Sequence, residues 1–409
     1  MTDFIKTARC GLLGLAASLA GATGAFAEEP LRPDLLSFAN GAVPVLVTSA
    51  PGELKTDAGQ AIAAVDGNWA KQGILRKPAT EADALEITFA LPAPTTFDGF
   101  AVPNVLETPS PSQTFVRDVE VLGSAESADG PFTALAQASL TAHEGEGEVT
   151  ALTLAPDQPA VRWVRLRLSG GVDVQAEKSF LEFSEIIGTG TQEEAPLAES
   201  FNGVFAGRGV KLELEQAGTV VKGCYDGTSM LSGTVQGNIL RALGQDPAGV
   251  PSQFILIATE GGAIRGLRSS NGAPFKPYDG EPSDKPATCL APEPPKLGCG
   301  SVVHGIGFDF DSDRITPGSR KIIEELHAGL SAEGGAIQIV GHSSSEGAED
   351  YNRDLSQRRA QSVVAALVAL GLDAGRMSAA GKGEDEPIAS NDDEAGRSLN
   401  RRVEVRCTG

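Results

Sequence analysis

Two apolar periods divide this chain. Residues 85–89, 99–102, 116–122, 161–168 and 180–187 are short β-rich runs, and 210–214, 220–225, 231–235, 239–243, 254–258 and 264–267 form a second set. Pro, Gly and Asp turns separate them and no helical period persists, so both sets predict strands. Gly-rich turns join the second set, which predicts consecutive pairing as a meander. Beyond residue 300 the period changes. Residues 301–310 read as a strand, Thr316 can cap a helix with Pro317 at its first position, and Ile322, Ile323, Leu326 and Leu330 give that helix one buried face. A strand follows at 336–341, where Ile337 and Ile339 alternate with Gln338 and Val340. A helix over 353–370 carries Leu355, Val363, Val364, Leu367 and Leu370 on one face and stops at Gly371. Val403 and Val405 mark a closing strand. The predicted order β-α-β-α-β is that of an α/β sandwich with its helices on one face of the sheet.

The ends and joints carry their own signals. Asp3, Lys6 and Arg9 flank a small apolar run that closes with Ala25-Phe26-Ala27, so residues 1–27 read as a secretory signal cut after Ala27. The run is too rich in Gly and Ala for a membrane span. Cys10 follows Arg9 and comes too early for a lipid anchor. Losing Asp3, Lys6 and Arg9 takes the formal net charge from −21 to −22, a balance that repels nucleic acid and anionic membranes. With three Tyr, two Trp and no aromatic girdles, a transmembrane barrel is excluded. Residues 290–298, LAPEPPKLG, are a Pro-rich connection on the order of 25 Å long that is expected to hold the last domain off the β segments. The expected domains are therefore 28–190, 196–289 and 299–409.

Four cysteines remain in the exported chain: Cys224, Cys289, Cys299 and Cys407. They allow three pairings, of which Cys224 with Cys289 and Cys299 with Cys407 is favoured because each pair brackets one expected domain. No CxxC spacing and no nearby histidine cluster supports a metal centre, and no cofactor is expected. Asp309, Asp311 and Asp313 alternate, but Arg314 stands where a calcium loop needs Gly and Arg320 where it needs Glu. The strand followed by Gly341-His342-Ser343-Ser344-Ser345 imitates a hydrolase elbow, yet Ser345 replaces the second Gly and no histidine follows in the chain. An enzyme is not expected.

Gly341-His342, Gly347, Asn352, Leu355-Ser356, Arg358-Arg359-Ala360, Gly383-Glu384, Pro387, Asn391, Gly396-Arg397 and Asn400-Arg401-Arg402-Val403-Glu404 resemble the OmpA-like peptidoglycan-binding domain, and Phe308 to Ser312 with Thr316-Pro317 fit its opening. The resemblance covers about residues 300 to 407. It implies a pocket for the diaminopimelate of the cell-wall peptide, with Arg359 on its carboxylate and Asn352 in the same pocket. The family's ammonium-binding aspartate falls on Ser344, which carries no charge. Glu346, two residues on, is the nearest substitute, with Glu349 and Asp350 as further candidates, and each acid has a solvated-loop alternative. Arg358 is expected to pair with Asp354 four residues earlier.

Within 28–190, Ala64 to Asn68, Phe115 to Val121, Val161 to Arg167 and Leu181 to Ile186 resemble a discoidin-like, galactose-binding jelly roll. That family often binds sugars, sometimes lipids or proteins. Asp66, Asn68 and Trp69 are the candidate contacts there; the alternative is a plain Asp-Gly-Asn turn with Trp69 packed on it. Phrases such as Val221-Lys222-Gly223 and Gly261 to Gly266 resemble small lipocalin-like or barrel-like modules and imply no site. The resulting expectation is an exported envelope protein, periplasmic or associated with the outer membrane, that holds peptidoglycan and offers β modules to a carbohydrate or envelope protein. The alternative is an interaction protein whose last domain has lost diaminopimelate binding, leaving the jelly roll as the working part.

Overall fold

The computed structural model describes residues 32–49, 61–69, 73–76, 84–103, 107, 113–141, 149–171, 180–289 and 296–408. The expected signal segment 1–27 and residues 290–295 of the Pro-rich connection lie outside them. The described chain is mostly β, with curled sheets, and its α-helices fall in the C-terminal part: α1 (Arg320–Ser331), α2 (Glu349–Ala369) and α3 (Glu394–Asn400). No described helix is long and apolar enough to cross a membrane.

The N-terminal sheet is built on Leu85–Pro103, one strand where the sequence predicts two separate runs. Its first part pairs antiparallel with Val43–Ser49 and with Val161–Gly171. The second pairing shifts register between Ala90 and Thr95, where Pro92 and Pro94 have no N–H to donate. Beyond the break the strand takes a new partner, Ile187–Gln192. Gln113–Ser124 lies antiparallel between Val161–Gly171 and Thr133–Ser139, with its start parallel to Phe180–Phe183. The sheet thus folds around Ile87, Phe89, Phe97, Val121, Leu135, Leu166 and Leu181.

The middle segment pairs in sequence order from Gly203–Gly207 to Ile264–Ser270, as a meander. Lys276–Pro277 then pairs with Ile264–Ser270, and Glu281–Ser283 with Gly203–Gly207, so the sheet curls until its end meets its start. Phe254 and Leu256 point into its own core with Phe205, Leu212, Val221 and Tyr225. Ile255 and Ile257 alternate with them and are equally buried, but they join the N-terminal core. A continuous run buried on both sides of a strand requires a second layer against it, and the N-terminal sheet supplies that layer.

In the C-terminal part, Ala336–Gly341 is central, parallel to Met377–Gly381 and antiparallel to Val403–Thr408, which pairs in turn with Val302–Val303. Ile337, Ile339, Val403 and Val405 share a core with Ile322, Ile323, Leu326 and Leu330 of α1 and Ala360, Val363 and Leu367 of α2. Several predictions change in detail. Residues 301–310 hold a two-residue strand and one isolated bridge, Phe308 to Ile315, instead of a continuous strand. Pro317–Ser319 is a 3-10 turn before α1, α2 begins at Glu349, and Leu370 is exposed. Met377–Gly381 and α3 extend the predicted β-α-β-α-β order. Cys224 pairs with Cys289 and Cys299 with Cys407, Cα atoms 6.3 and 5.6 Å apart, as favoured from the sequence.

The last segment is not held off the β segments. Thr219 N–H donates to both Glu325 carboxylate oxygens of α1 at 3.2 and 3.0 Å. Thr234 Oγ1 donates to the His304 carbonyl at 2.7 Å and accepts the His304 N–H at 2.9 Å. Gln253 Nε2 donates to Ile388 O at 3.0 Å. Ala395 and Leu399 of α3 enter the N-terminal core. The expectation failed because Pro content fixes the stiffness of a connection and says nothing of the surfaces at its ends; Leu297, just past the prolines, is itself buried.

Candidate functional site

The central strand Ala336–Gly341 delivers the chain to a polar loop. Gly341 lies so close to α2 that a Cβ there would stand 2.4 Å from Ser356 O, so only glycine lets strand and helix approach this far. The loop is then fixed by backbone bonds: His342 N–H to Arg402 O at 3.0 Å and Ser343 N–H to Gly383 O at 2.8 Å. Ser344 is 4% exposed. Its carbonyl accepts from Asn352 Nδ2 of α2 at 3.3 Å, and the same amide donates to Glu384 Oε2 at 2.6 Å.

The acids and arginines around Ser344 form one network. Ser344 Oγ donates to Glu346 Oε2 at 3.0 Å. Arg401 Nη1 donates to Glu346 Oε2 at 3.1 Å and to Ser344 Oγ at 3.4 Å, while its Nη2 donates to Glu394 Oε1. Arg397 Nε donates to Glu394 Oε2 at 2.9 Å and lies 3.6 Å from Glu346 Oε1. Burial alone would push the Glu394 carboxyl up, but Arg401 and Arg397 outweigh it and hold the pKa below the ordinary value. Burial would likewise lower Arg401, and Glu394 with Glu346 raises it instead. Both stay charged near neutral pH.

Arg359 differs from these arginines. Its Nε donates to Ser312 O at 2.9 Å and its guanidinium lies over the Phe308 ring, 4.9 Å from the centroid. Burial first, then Arg401 and Arg358, lower its pKa to about 10, so it remains a cation. Among the described residues its two Nη groups have no hydrogen-bond partner. A planar fork with both terminal donors open suits a carboxylate.

The loop and α2 bring Ser344, Glu346 and Asn352 into contact, with Arg359 on the same helix as Asn352. Of the further acids, Glu349 lies 3.6 Å from Arg353, and only Glu346 touches Ser344. Arg358 pairs with Asp354 at 2.8 Å, as its spacing predicts. Asp311 accepts from the Tyr351 hydroxyl and Asp309 from Arg314, which accounts for two of the three alternating acids. Glu213, Cys224 and Cys289 cluster at ligand distance, but both thiols are spent in a disulfide, so the group has no thiolate to offer a metal.

In the sequence pattern Glu384, Arg397 and Arg401 stand without a role, and Glu394 is missed. A signal was available: Arg397 and Arg401 stand four apart, three and seven residues after Glu394, so all share one side of a short helix. In the N-terminal part Asp66 Oδ1 accepts the Asn68 N–H at 2.9 Å, an Asx turn. Trp69 is 37% exposed, with the larger part of its surface covered. This turn lies against α3: Arg397 Nη2 donates to Gly67 O at 3.3 Å.

The OmpA family model matches residues 307–401. Outer membrane protein A of Bordetella avium is 37% identical over 147 residues, 35% of this chain and 70% of that protein. Outer membrane porin F of Pseudomonas fluorescens is 42% identical over 102 residues, 24% of this chain; the chain spans 31% of that relative. The crystal structure of the peptidoglycan-associated lipoprotein from Burkholderia pseudomallei is 31% identical, covers 25% of this chain and 88% of its own, and gives a TM-score of 0.24.

Proposed function

The chain belongs to the OmpA family, a structural rather than catalytic one, through its C-terminal region 307–401, and from that premise we propose that it is an exported cell-envelope protein that holds peptidoglycan without a covalent bond. The observation that carries this reading is Arg359, half-buried over Phe308 with both Nη donors open. It takes the ligand carboxylate in a two-pronged bond that contributes about 1.5 to 3 kcal/mol. The ammonium of the same diaminopimelate goes to Glu346, whose carboxylate lies 3.0 Å from Ser344 Oγ and so supplies the charge that Ser344 lacks. Asn352 holds the loop by donating to the Ser344 carbonyl.

In the same reading residues 28–190 form a discoidin-like jelly roll, 196–289 a small barrel and 299–409 an α/β sandwich. The protein works in the periplasm or against the outer membrane, and the jelly roll is the part offered to a carbohydrate or envelope protein.

Because the three segments are packed together, the test uses the full chain. Co-sedimentation with purified peptidoglycan is measured for the parent, Arg359→Ala and Ser344→Asp. The parent is expected to pellet and Arg359→Ala to lose at least tenfold in affinity, the loss of about 1.4 kcal/mol or more. If only Ser344→Asp pellets, Glu346 does not replace the missing aspartate. That specific outcome favours the alternative, in which the domain has lost diaminopimelate binding and the jelly roll is the working part; the full engagement of Glu346 by Arg401 and Arg397 is the observation on its side.

A further inference from the structure

The Asp66-Gly67-Asn68-Trp69 turn and the Ser344–Arg359 pocket are nearly three hundred residues apart in sequence, yet they meet on one short helix, α3. Gly67 has φ +77°, and a Cβ on it would lie 2.2 Å from Glu394 Cβ and 2.6 Å from Glu394 N. Only glycine allows both that backbone conformation and that approach. The turn is gripped from two directions. Its Gly67 N–H donates to the buried Glu185 at 2.9 Å, and its Gly67 carbonyl accepts from Arg397 at 3.3 Å. The Arg397 side chain is 14% exposed, and its Nε is 3.6 Å from Glu346 Oε1. One guanidinium therefore separates the jelly-roll turn from the acid of the pocket. Beyond Gly67 the turn ends in Trp69, which leaves about a third of its surface open to solvent.

We propose that Trp69 is part of the peptidoglycan site: the sugar ring stacks on the indole while the peptide hanging from that sugar enters the Arg359 pocket. This rests on the peptidoglycan reading above and adds a second, carbohydrate contact to it. An exposed indole offers a broad apolar face with a polar edge, which fits the alternating C–H face and hydroxyl rim of a pyranose. Gly67 and Glu346 are separated by one hydrogen bond, the Arg397 guanidinium and one ion pair, a separation that a stem of three extended residues, reaching about 10 Å, can bridge. Asp66 and Asn68 are engaged in the turn itself, which keeps Trp69 in place. The two candidate sites are thus halves of one surface, and the jelly roll contributes to wall binding instead of serving a separate ligand.

The test compares two soluble ligands on the full chain by titration calorimetry: a diaminopimelate-containing stem peptide, and the same peptide carrying its disaccharide. The parent is expected to bind the disaccharide-peptide about tenfold more tightly than the free peptide, the scale of one aromatic contact. Trp69→Ala should bind both with the affinity of the free peptide, and Trp69→Phe should recover part of the preference. In a Trp163→Phe protein, where Trp69 is the sole tryptophan, emission should change on adding the disaccharide-peptide and stay constant with the free peptide. A Trp69→Ala protein that keeps the parent's preference overturns the inference, as does a parent that binds both ligands equally; either leaves the pocket reading standing. A parent that binds neither ligand overturns that reading and this one with it.

Discussion

Arg359 and Arg401 come from stretches that read alike as surface charge, and the difference between them lies in what each has already spent. Arg401 divides its donors between Glu346 and Glu394, and those acids raise its pKa against the effect of burial. Arg359 commits only Nε, to a carbonyl, and rests on an aromatic face. A carboxylate placed at Arg359 would therefore gain a bond without breaking one. A second residue, Asp34, makes a prediction about pH. Its Oδ1 accepts the Leu36 and Gly188 N–H groups at 3.0 and 2.8 Å, while its Oδ2 is buried with no partner. Burial raises its pKa from 3.8 to about 7, despite the two N–H groups that pull it down. Below pH ~4 the carboxyl is protonated folded or unfolded, and its contribution to stability is fully present. As pH rises towards 7 the unfolded chain gives up its proton first, so this contribution is lost, on the order of a few kcal/mol. Asp34→Asn keeps the acceptor and removes the titration. Its Tm should match the parent's near pH 4 and exceed it at pH 8; a variant below the parent at pH 8 would sink the assignment.

At the scale of elements, the disulfides were readable because each cysteine pair brackets one expected domain. Cys407 lies on Val403–Thr408 opposite Ile337 of the central strand, and Cys299 sits just before Val302–Val303, the edge strand that pairs with Val403–Thr408 on its other side. The bond therefore ties the entry of this segment to its last strand across a separation of 108 residues. Cys407→Ser is expected to lower the unfolding free energy by roughly 2 to 5 kcal/mol, read from the denaturant midpoint without a change in slope. An unchanged midpoint would show that sheet pairing alone holds the ends. Elements with strong local patterns were legible in the same way: 336–341 alternates apolar and polar residues, and α2 has its Leu and Val stripe. Met377–Gly381 was not, because Met-Ser-Ala-Ala-Gly has neither a β-branched nor an aromatic residue; its parallel ladder to Ala336–Gly341 makes it a strand. The reverse error at 301–310 has the same root, since apolar residues promise a strand and only a partner delivers one.

At the scale of the whole molecule, local patterns identified the layers and left their packing unread. The run Phe254 to Ile257 announced burial on both sides, but nothing local says which surface covers Ile255 and Ile257. For the same reason Arg359, Asn352, Ser344 and Glu346 could be named from one continuous motif, whereas Arg397, Arg401 and Glu384 acquire their roles from contacts with Glu346 and Asn352, far from them in sequence. This packing has a measurable consequence. Leu399 belongs to α3 of the C-terminal segment, is fully buried, and packs in the cluster built by Phe89, Leu166 and their neighbours from the N-terminal sheet. Its carbonyl also lies 3.1 Å from the buried His304 Nε2. The two tryptophans, Trp69 and Trp163, are both N-terminal, while the described α-helices all lie beyond residue 319. Tryptophan fluorescence thus follows one end of the molecule and helical circular dichroism the other. If the shared core makes the ends one cooperative unit, the two signals of the parent have the same midpoint. Leu399→Ala, which empties a buried leucine at a cost of about 2 to 5 kcal/mol, should then lower both together. A variant whose helical signal falls early while its fluorescence midpoint stays in place would show that the N-terminal sheet folds alone, and that the turn bearing Trp69 is docked on α3 without sharing its stability.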